Sequence, residues 1–328
     1  MKLFTPFRVA AVLLGSGVLV FSSCAQTPPP ASDWPEPVYD EGFAEVWYDG
    51  QAEIAAYDLV YPRYGEMRRG NAVAVTVTER FRWAPRVKAD TPDDAFGVVK
   101  LNLSEDFPTG IYDYNLMTSA FVAAEPIEGL RAGVPVKLTF SSQEWCGQAW
   151  QQAVFDRQGV EHEHRSYFEA GADQNELLPG YDAYLAEDAL FLWARGLAGP
   201  QVEPGESVEI PLYRSAAVTR LRHLPVAWDA AVLTRVEGTS RVHSEAIGNA
   251  EVFTLHATIR RSGLNEQAKY IFTVEAQAPH RVIQMARNDG YTLTLKGVSR
   301  EPYWRQSSNA DRALLENFGM SPRPPLTP

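Results

Sequence analysis

Strict alternation is the feature that most limits what this chain can become. Residues 72–78 read AVAVTVT, and residues 134–140 put Val136, Leu138 and Phe140 on one face with Lys137 and Thr139 on the other. A period of two fits a half-buried strand and no helix. Residues 98–103 and 110–123 are further strand candidates, the second long enough to bend. Asp49-Gly50 predicts a two-residue hairpin turn between strands 43–48 and 51–61, pairing Trp47 with Ala52. A hairpin about Gln158-Gly159 predicts Trp150 opposite Tyr167, Phe155 opposite His162 and Gln152 opposite Arg165. Near the end, residues 281–287 and 291–296 flank Asn288-Asp289-Gly290. A three-residue loop with Gly290 left-handed aligns Met285 with Leu293 and Ile283 with Leu295.

Helices are few. Residues 185–197 (LAEDALFLWARGL) form one, with Leu190, Trp193 and Leu197 on one stripe and Gly199-Pro200 as the stop. Residues 309–318 form the second, capped by Asn309 and ended by Gly319. Strands do not alternate with helices, which excludes a parallel α/β fold. The expectation is a mainly β protein: a large antiparallel curved sheet or β-sandwich with one or two packed helices. With 328 residues, 45% hydrophobic and 22% charged, the chain can bury a sizeable core. Residues 39–320 read as a single β-rich domain, with the polar stretch 170–181 marking where two sheet halves would meet.

The amino terminus carries a different message. Lys2 and Arg8 precede thirteen mostly apolar residues, 9–21, too few to span a bilayer and placed where a signal peptide has its hydrophobic core. Phe21-Ser22-Ser23-Cys24 follows, and it resembles the lipobox of bacterial lipoproteins, with phenylalanine where leucine is usual. The resemblance implies diacylglycerol on Cys24, cleavage of residues 1–23 and acylation of the new amino terminus, palmitate being one such chain. In a Gram-negative cell Ala25, in place of aspartate, implies passage to the outer membrane, facing the periplasm. Residues 24–38 read as a proline-rich tether of about 40 Å in polyproline geometry, and 321–328 as a disordered tail. The balance of 30 basic against 41 acidic residues argues against a nucleic-acid partner. Contact with the membrane is therefore expected through the lipid anchor.

Chemistry is sparse. If residues 141–150 form one strand, Ser142, Glu144, Cys146, Gln148 and Trp150 share a face that is too polar for a dry core and too aromatic for plain surface. That face is a candidate cavity lining; Cys146 as a nucleophile is the sharper reading, and burial of Cys146 the plain one. His162 and His164, two apart on a strand, are weak metal candidates, because the two further ligands of a structural zinc are not evident. Solvation of an edge strand by alternating charge is the plainer reading of Glu161-His162-Glu163-His164. The remaining histidines show no catalytic order. No nucleophile elbow, phosphate-binding loop or dinucleotide fingerprint is present, and no cofactor is expected. The acid pairs Asp93-Asp94 and Glu187-Asp188 read as solvated surface.

Several motifs carry a resemblance. Trp47-Tyr48-Asp49-Gly50-Gln51-Ala52-Glu53, Arg63-Tyr64-Gly65-Glu66, Thr109-Gly110-Ile111-Tyr112 with Met117-Thr118-Ser119, and Ser142-Gln143-Glu144-Trp145-Cys146-Gly147 are similar to an uncharacterised family of exported bacterial proteins. Some members carry the label "septum formation inhibitor Maf". Maf proteins are cytoplasmic nucleotide pyrophosphatases with an SxSPRR-type loop, which this chain lacks, so the label does not transfer. The family implies no catalytic residue. The leading expectation is a lipid-anchored envelope protein that binds an apolar or amphipathic ligand, or an envelope partner, on a concave sheet without catalysis. An envelope hydrolase using Cys146 or a carboxylate, and a structural scaffold without ligand, are the competing readings.

Overall fold

The computed structural model describes residues 34–321. The expected signal segment 1–23, Cys24, the first part of the expected tether (25–33) and most of the expected tail (322–328) lie outside the described residues. Among the described residues, seventeen strands join one large, open, curved sheet, antiparallel except for one short parallel pair. The first half supplies β1 (Ala52–Arg63), β2 (Glu66–Arg82), β3 (Val87–Lys88), β4 (Ala95–Pro108), β5 (Asp113–Ala123), β6 (Pro135–Glu144), β7 (Gly147–Phe155), β8 (Gly159–Ser166) and β9 (Gln174–Pro179). The second supplies β10 (Leu185–Ala186), β11 (Ser207–Tyr213), β12 (Trp228–Arg235), β13 (Ser240–Ser244), β14 (Gly248–Arg260), β15 (Gln267–Glu275), β16 (Val282–Arg287) and β17 (Thr292–Glu301).

Each half is essentially a meander of neighbouring strands, and the two are welded where β1 pairs with β17, from Ala52 opposite Glu301 to Val60 opposite Thr292. The outer edges are then β9 and β10, which follow one another in the chain. Curvature brings these edges together through side chains. Trp228 Nε1 donates to the Pro179 carbonyl at 2.9 Å, and His162 Nδ1 lies 2.6 Å from the Tyr213 hydroxyl. Phe155 stacks on Tyr184 and meets Tyr213 edge-on, with ring centroids 5.4 and 5.1 Å apart. An unpaired strand edge is a template for association, and here the two edges shield one another.

The hollow of the sheet is filled by the chain itself. Residues 183–186 enter it, and helix α2 (Leu190–Ala194) crosses it with all five residues buried. A helix apolar all round belongs in a core rather than on a surface. It is shorter than the expected 185–197 helix, because Leu185–Ala186 instead pair with Leu212–Tyr213 and Gly196 turns left-handed at φ 74°. Arg195 then leaves the helix to bind Glu53, with its Nη1 2.8 Å from Oε1. A separate patch on the outer face joins Ile54, Ala56 and Phe318. Phe318 comes from the expected carboxyl-terminal helix, which is a 3₁₀ segment, Ala310–Phe318, ended by Gly319 as anticipated but without a side-chain cap from Asn309. Its backbone crosses Gly297 so closely that a Cβ there would lie 2.2 Å from the Phe318 carbonyl carbon.

Three further expectations change. Residues 43–48 are not a strand: helix α1 (Glu41–Trp47) forms there, its first turn capped by Asp40, which accepts from the Phe43 N–H at 3.0 Å. Phe43 and Trp47, four apart, both turn inward, as a helix requires. The β7–β8 hairpin pairs Phe155 with Val160 and Trp150 with Arg165, two residues from the expected register. Asp156 sets that turn by accepting from the N–H groups of Gln158 and Gly159. An even slip preserves faces, so Trp150 and Tyr167 still line one cleft. Finally, the last part of the tether is docked: Trp34 is buried beneath the Arg131 guanidinium, and the Pro35 carbonyl accepts from Gln201 N at 2.8 Å. By contrast Met285 lies opposite Leu293 and Gly290 is left-handed, as the alternation predicts. No helix among the described residues is long and apolar enough to cross a membrane.

Candidate functional site

One end of the curled sheet is roofed by helix α3 (Ala216–Arg222), a segment too short to announce itself by periodicity. Ser215 caps it, accepting from Val218 N. Two acids hold its first turn: Glu187 Oε2 accepts from Ser215 N at 3.1 Å and Asp188 Oδ2 from Ala216 N at 3.0 Å. Arg220 and Arg222 occupy the last turn, where positive charge suits the helix dipole. His223 ends the helix in the left-handed region, φ 54°. Clefts open on both sides of this roof.

Beneath α3 lies a buried ion network. Glu187, expected from sequence to be solvated, is buried and accepts from both terminal nitrogens of Arg261, at 2.6 and 2.7 Å, and from the Tyr270 hydroxyl at 2.6 Å. Arg261 also reaches Asp229 at 2.9 Å, and Asp229 takes two bonds from Arg214, itself fully buried. Burial alone would raise the Glu187 pKa; the Arg261 charge and these hydrogen bonds reverse that and hold it below the usual carboxylate range. Two other carboxyls go the opposite way. Burial pushes Glu105 up to about 7 against the Tyr291 hydroxyl that donates to it at 2.8 Å, and pushes Asp188 up to about 6. Both line an inner void of about 60 Å³, which leads past Tyr61, Tyr270 and Arg287 to a cleft of about 240 Å³ bordered by Arg63, Arg222 and Glu266.

The raised Glu105 pKa has a measurable consequence. A carboxyl whose folded pKa exceeds its unfolded one stabilises the fold fully below the unfolded value, and that contribution is lost as pH rises through the folded value. The contribution of Glu105 to stability should therefore fall between about pH 4.5 and 7, with a slope approaching ~1.4 kcal/mol per pH unit from this one proton. In Glu105→Gln this part of the decline disappears, so the variant compares better with the parent at pH 8 than at pH 5. Urea unfolding at the two pH values checks it, and an unchanged pH dependence contradicts it.

The opposite side of α3 forms a wider cleft of about 400 Å³ between β8, β9 and residues 223–226. His162 and His164 both face it, joined by His223, Arg220, Ser166 and Gln174, with Glu176 as the one carboxylate among the lining residues. The strand is not an edge, since β9 covers it, so the alternating charge does not solvate a sheet margin. Burial, then the neighbouring His164, lower His162 to about 4. Burial, then Arg220 and Arg165, lower His164 as well. Among the described residues no group of three or more His, Cys, Asp or Glu side chains is placed to hold a metal ion. Arg220 is 7% exposed, its guanidinium packs 4.5 Å from the Phe168 ring, and no carboxylate or hydrogen-bond partner meets it among the described residues. The Nε2 of His164 is likewise buried without a partner.

The five residues expected to share a face are split by a hairpin. Glu144 pairs with Gly147 across a two-residue Trp145-Cys146 turn, so 141–150 is not one strand. Ser142 turns inward and is fully buried, opposite Ala149. Glu144 is half-buried beside Tyr114. Cys146 is exposed in the turn, not buried. Gln148 and Trp150 line a different cleft of about 530 Å³ on the outer face with Arg165 and Tyr167. Comparison with protein-family models, with curated proteins and with solved structures finds no match to this chain.

Proposed function

We propose that this chain is a lipid-anchored envelope protein that acts as a binding or assembly module without catalysis, and that it engages an amphipathic ligand at the α3 end of its sheet. The observation that carries this reading is where space is found. The hollow, where an apolar cargo was expected, is occupied by residues 183–198, and the inner void of about 60 Å³ is small beside ligand pockets of roughly 300–1,000 Å³. A cleft of about 530 Å³ lies on the outer face beside Trp150, but those of about 400 and 240 Å³ that flank α3 set deeply buried guanidinium groups, Arg220 and Arg261, among apolar lining. The anchor rests on the lipobox around Cys24, and the docked Trp34 leaves a tether of at most nine residues, 25–33, about 30 Å when extended.

Mass spectrometry of the full chain purified from its own envelope tests both parts. Under denaturing conditions the expected mass is that of a chain beginning at Cys24 plus a diacylglycerol and an acyl group. An unprocessed, unmodified mass overturns the anchor. Under native conditions the expected result is a reproducible additional mass that denaturation releases. A bare polypeptide mass overturns a retained ligand and leaves a protein partner as the alternative.

A further inference from the structure

The cleft on the β8–β9 side of α3 holds an unusual combination. Arg220 is more than nine-tenths buried, yet no acid neutralises it among the described residues. Elsewhere in the molecule the deeply buried guanidinium groups find acceptors: those of Arg195, Arg214 and Arg261 each meet a carboxylate at 2.6–2.8 Å, and that of Arg86, also without a carboxylate among the described residues, donates to the Trp83 and Phe155 carbonyls. A buried charge without a counter-charge is costly unless something else supplies one. Phe168 holds the guanidinium from one side by a cation–π contact, and the cleft lies open to it. His164 brings a second unpaired ring nitrogen to the same cleft, and the exposed His223 stands at its rim. An arginine fork matches the geometry of planar or tetrahedral oxyanions, and imidazoles add flanking donors. Leu224, Pro225 and Val226 form an apolar wall in the same space.

We propose that this cleft binds a small amphipathic oxyanion, a phosphate or carboxylate on a short apolar body. Arg220 clamps the charged head, His164 and His223 flank it, and Phe168, Leu224 and Val226 take the apolar part. At about 400 Å³ the cleft accepts a small molecule and not the tails of a two-chain lipid. His162 is committed to the Tyr213 hydroxyl and serves as a wall. The exposed Glu176 repels the head from one side and so limits affinity. The inference deepens the reading of the protein as a binding module by naming the ligand class and the residues that select it.

The test is an NMR titration of the full chain, following histidine ring signals, with inorganic phosphate, hexyl phosphate and hexanoate as probes. The expected result is saturable shifts at His164 and His223 with none at His243 or His256, which lie on other strands. Hexyl phosphate or hexanoate should bind at least tenfold more tightly than inorganic phosphate, and the better of the two identifies the head group. Arg220→Gln should weaken binding by more than tenfold, Arg220→Lys by less, and Glu176→Gln should tighten it several-fold. Unchanged amide signals from the β1–β17 ladder, remote from the cleft, report that each variant is folded. Equal, unsaturable shifts at all histidines overturn the site, as does unchanged affinity in folded Arg220→Gln. Equal affinity for phosphate and hexyl phosphate overturns the apolar subsite. Because the probes are added, the titration can succeed where native mass spectrometry finds no retained ligand, so the two readings fail separately.

Discussion

Glu187→Ala should be among the most damaging single substitutions in this protein, costing about 3–5 kcal/mol of stability and lowering the unfolding midpoint by of the order of 10 °C. Glu187 closes a network in which Arg261 and Arg214 share Asp229, and all four groups are withdrawn from water. Removing one acid leaves two buried guanidinium groups to one carboxylate. It also frees the Tyr270 hydroxyl and one N–H of the α3 first turn. The double variant Glu187→Met with Arg261→Met should recover part of the loss, since removing a whole buried pair costs less than orphaning one member. Calorimetry of the three proteins decides it. A loss below about 1 kcal/mol in Glu187→Ala would show that water or Asp188 takes over the role.

Phe155→Ala has the second largest expected effect, about 3–5 kcal/mol from the lost burial and the cavity left behind. Phe155 is fully buried at the seam where the sheet edges meet, against Tyr184, Tyr213 and Trp228. The loss should be local before it is global. Amide hydrogen exchange is expected to accelerate first in β8 and β9, while the β1–β17 ladder keeps its protection. A uniform loss of protection would mean that the seam and the weld unfold as one unit.

Much of the sheet is legible in the sequence because alternation is a local signal. Val136, Leu138 and Phe140 are buried as the pattern requires, and Asn288-Asp289-Gly290 sets the register of Met285 against Leu293 through the left-handed Gly290 and the Asp289 carboxylate, which accepts from Tyr291 N. What escapes is whatever depends on a partner far away or on an unmarked turn. Glu187 looks like a surface acid until Arg261, 74 positions later, folds against it. The Trp145-Cys146 turn carries neither asparagine nor aspartate, so nothing local separates one long strand from a hairpin that reverses the chain. Helix α1 escapes because a seven-residue segment fits either periodicity, and only the Asp40 cap tips it. Arg220 cannot be told from Arg222 in the run Thr219 to Pro225, since an unpaired charge is a property of the fold and not of its neighbours in sequence.

The weld between β1 and β17 also sets an order of events. Strands β4 to β9 each pair with a strand close in sequence and can zip as they emerge, and β11 to β16 can do the same. β1, however, waits on one flank until residue 301 has been made, because its partner there is the last strand of the sheet. Such distant closure is entropically slow. The two arcs should therefore form early and separately, and the newest residues of the sheet should complete its oldest strand.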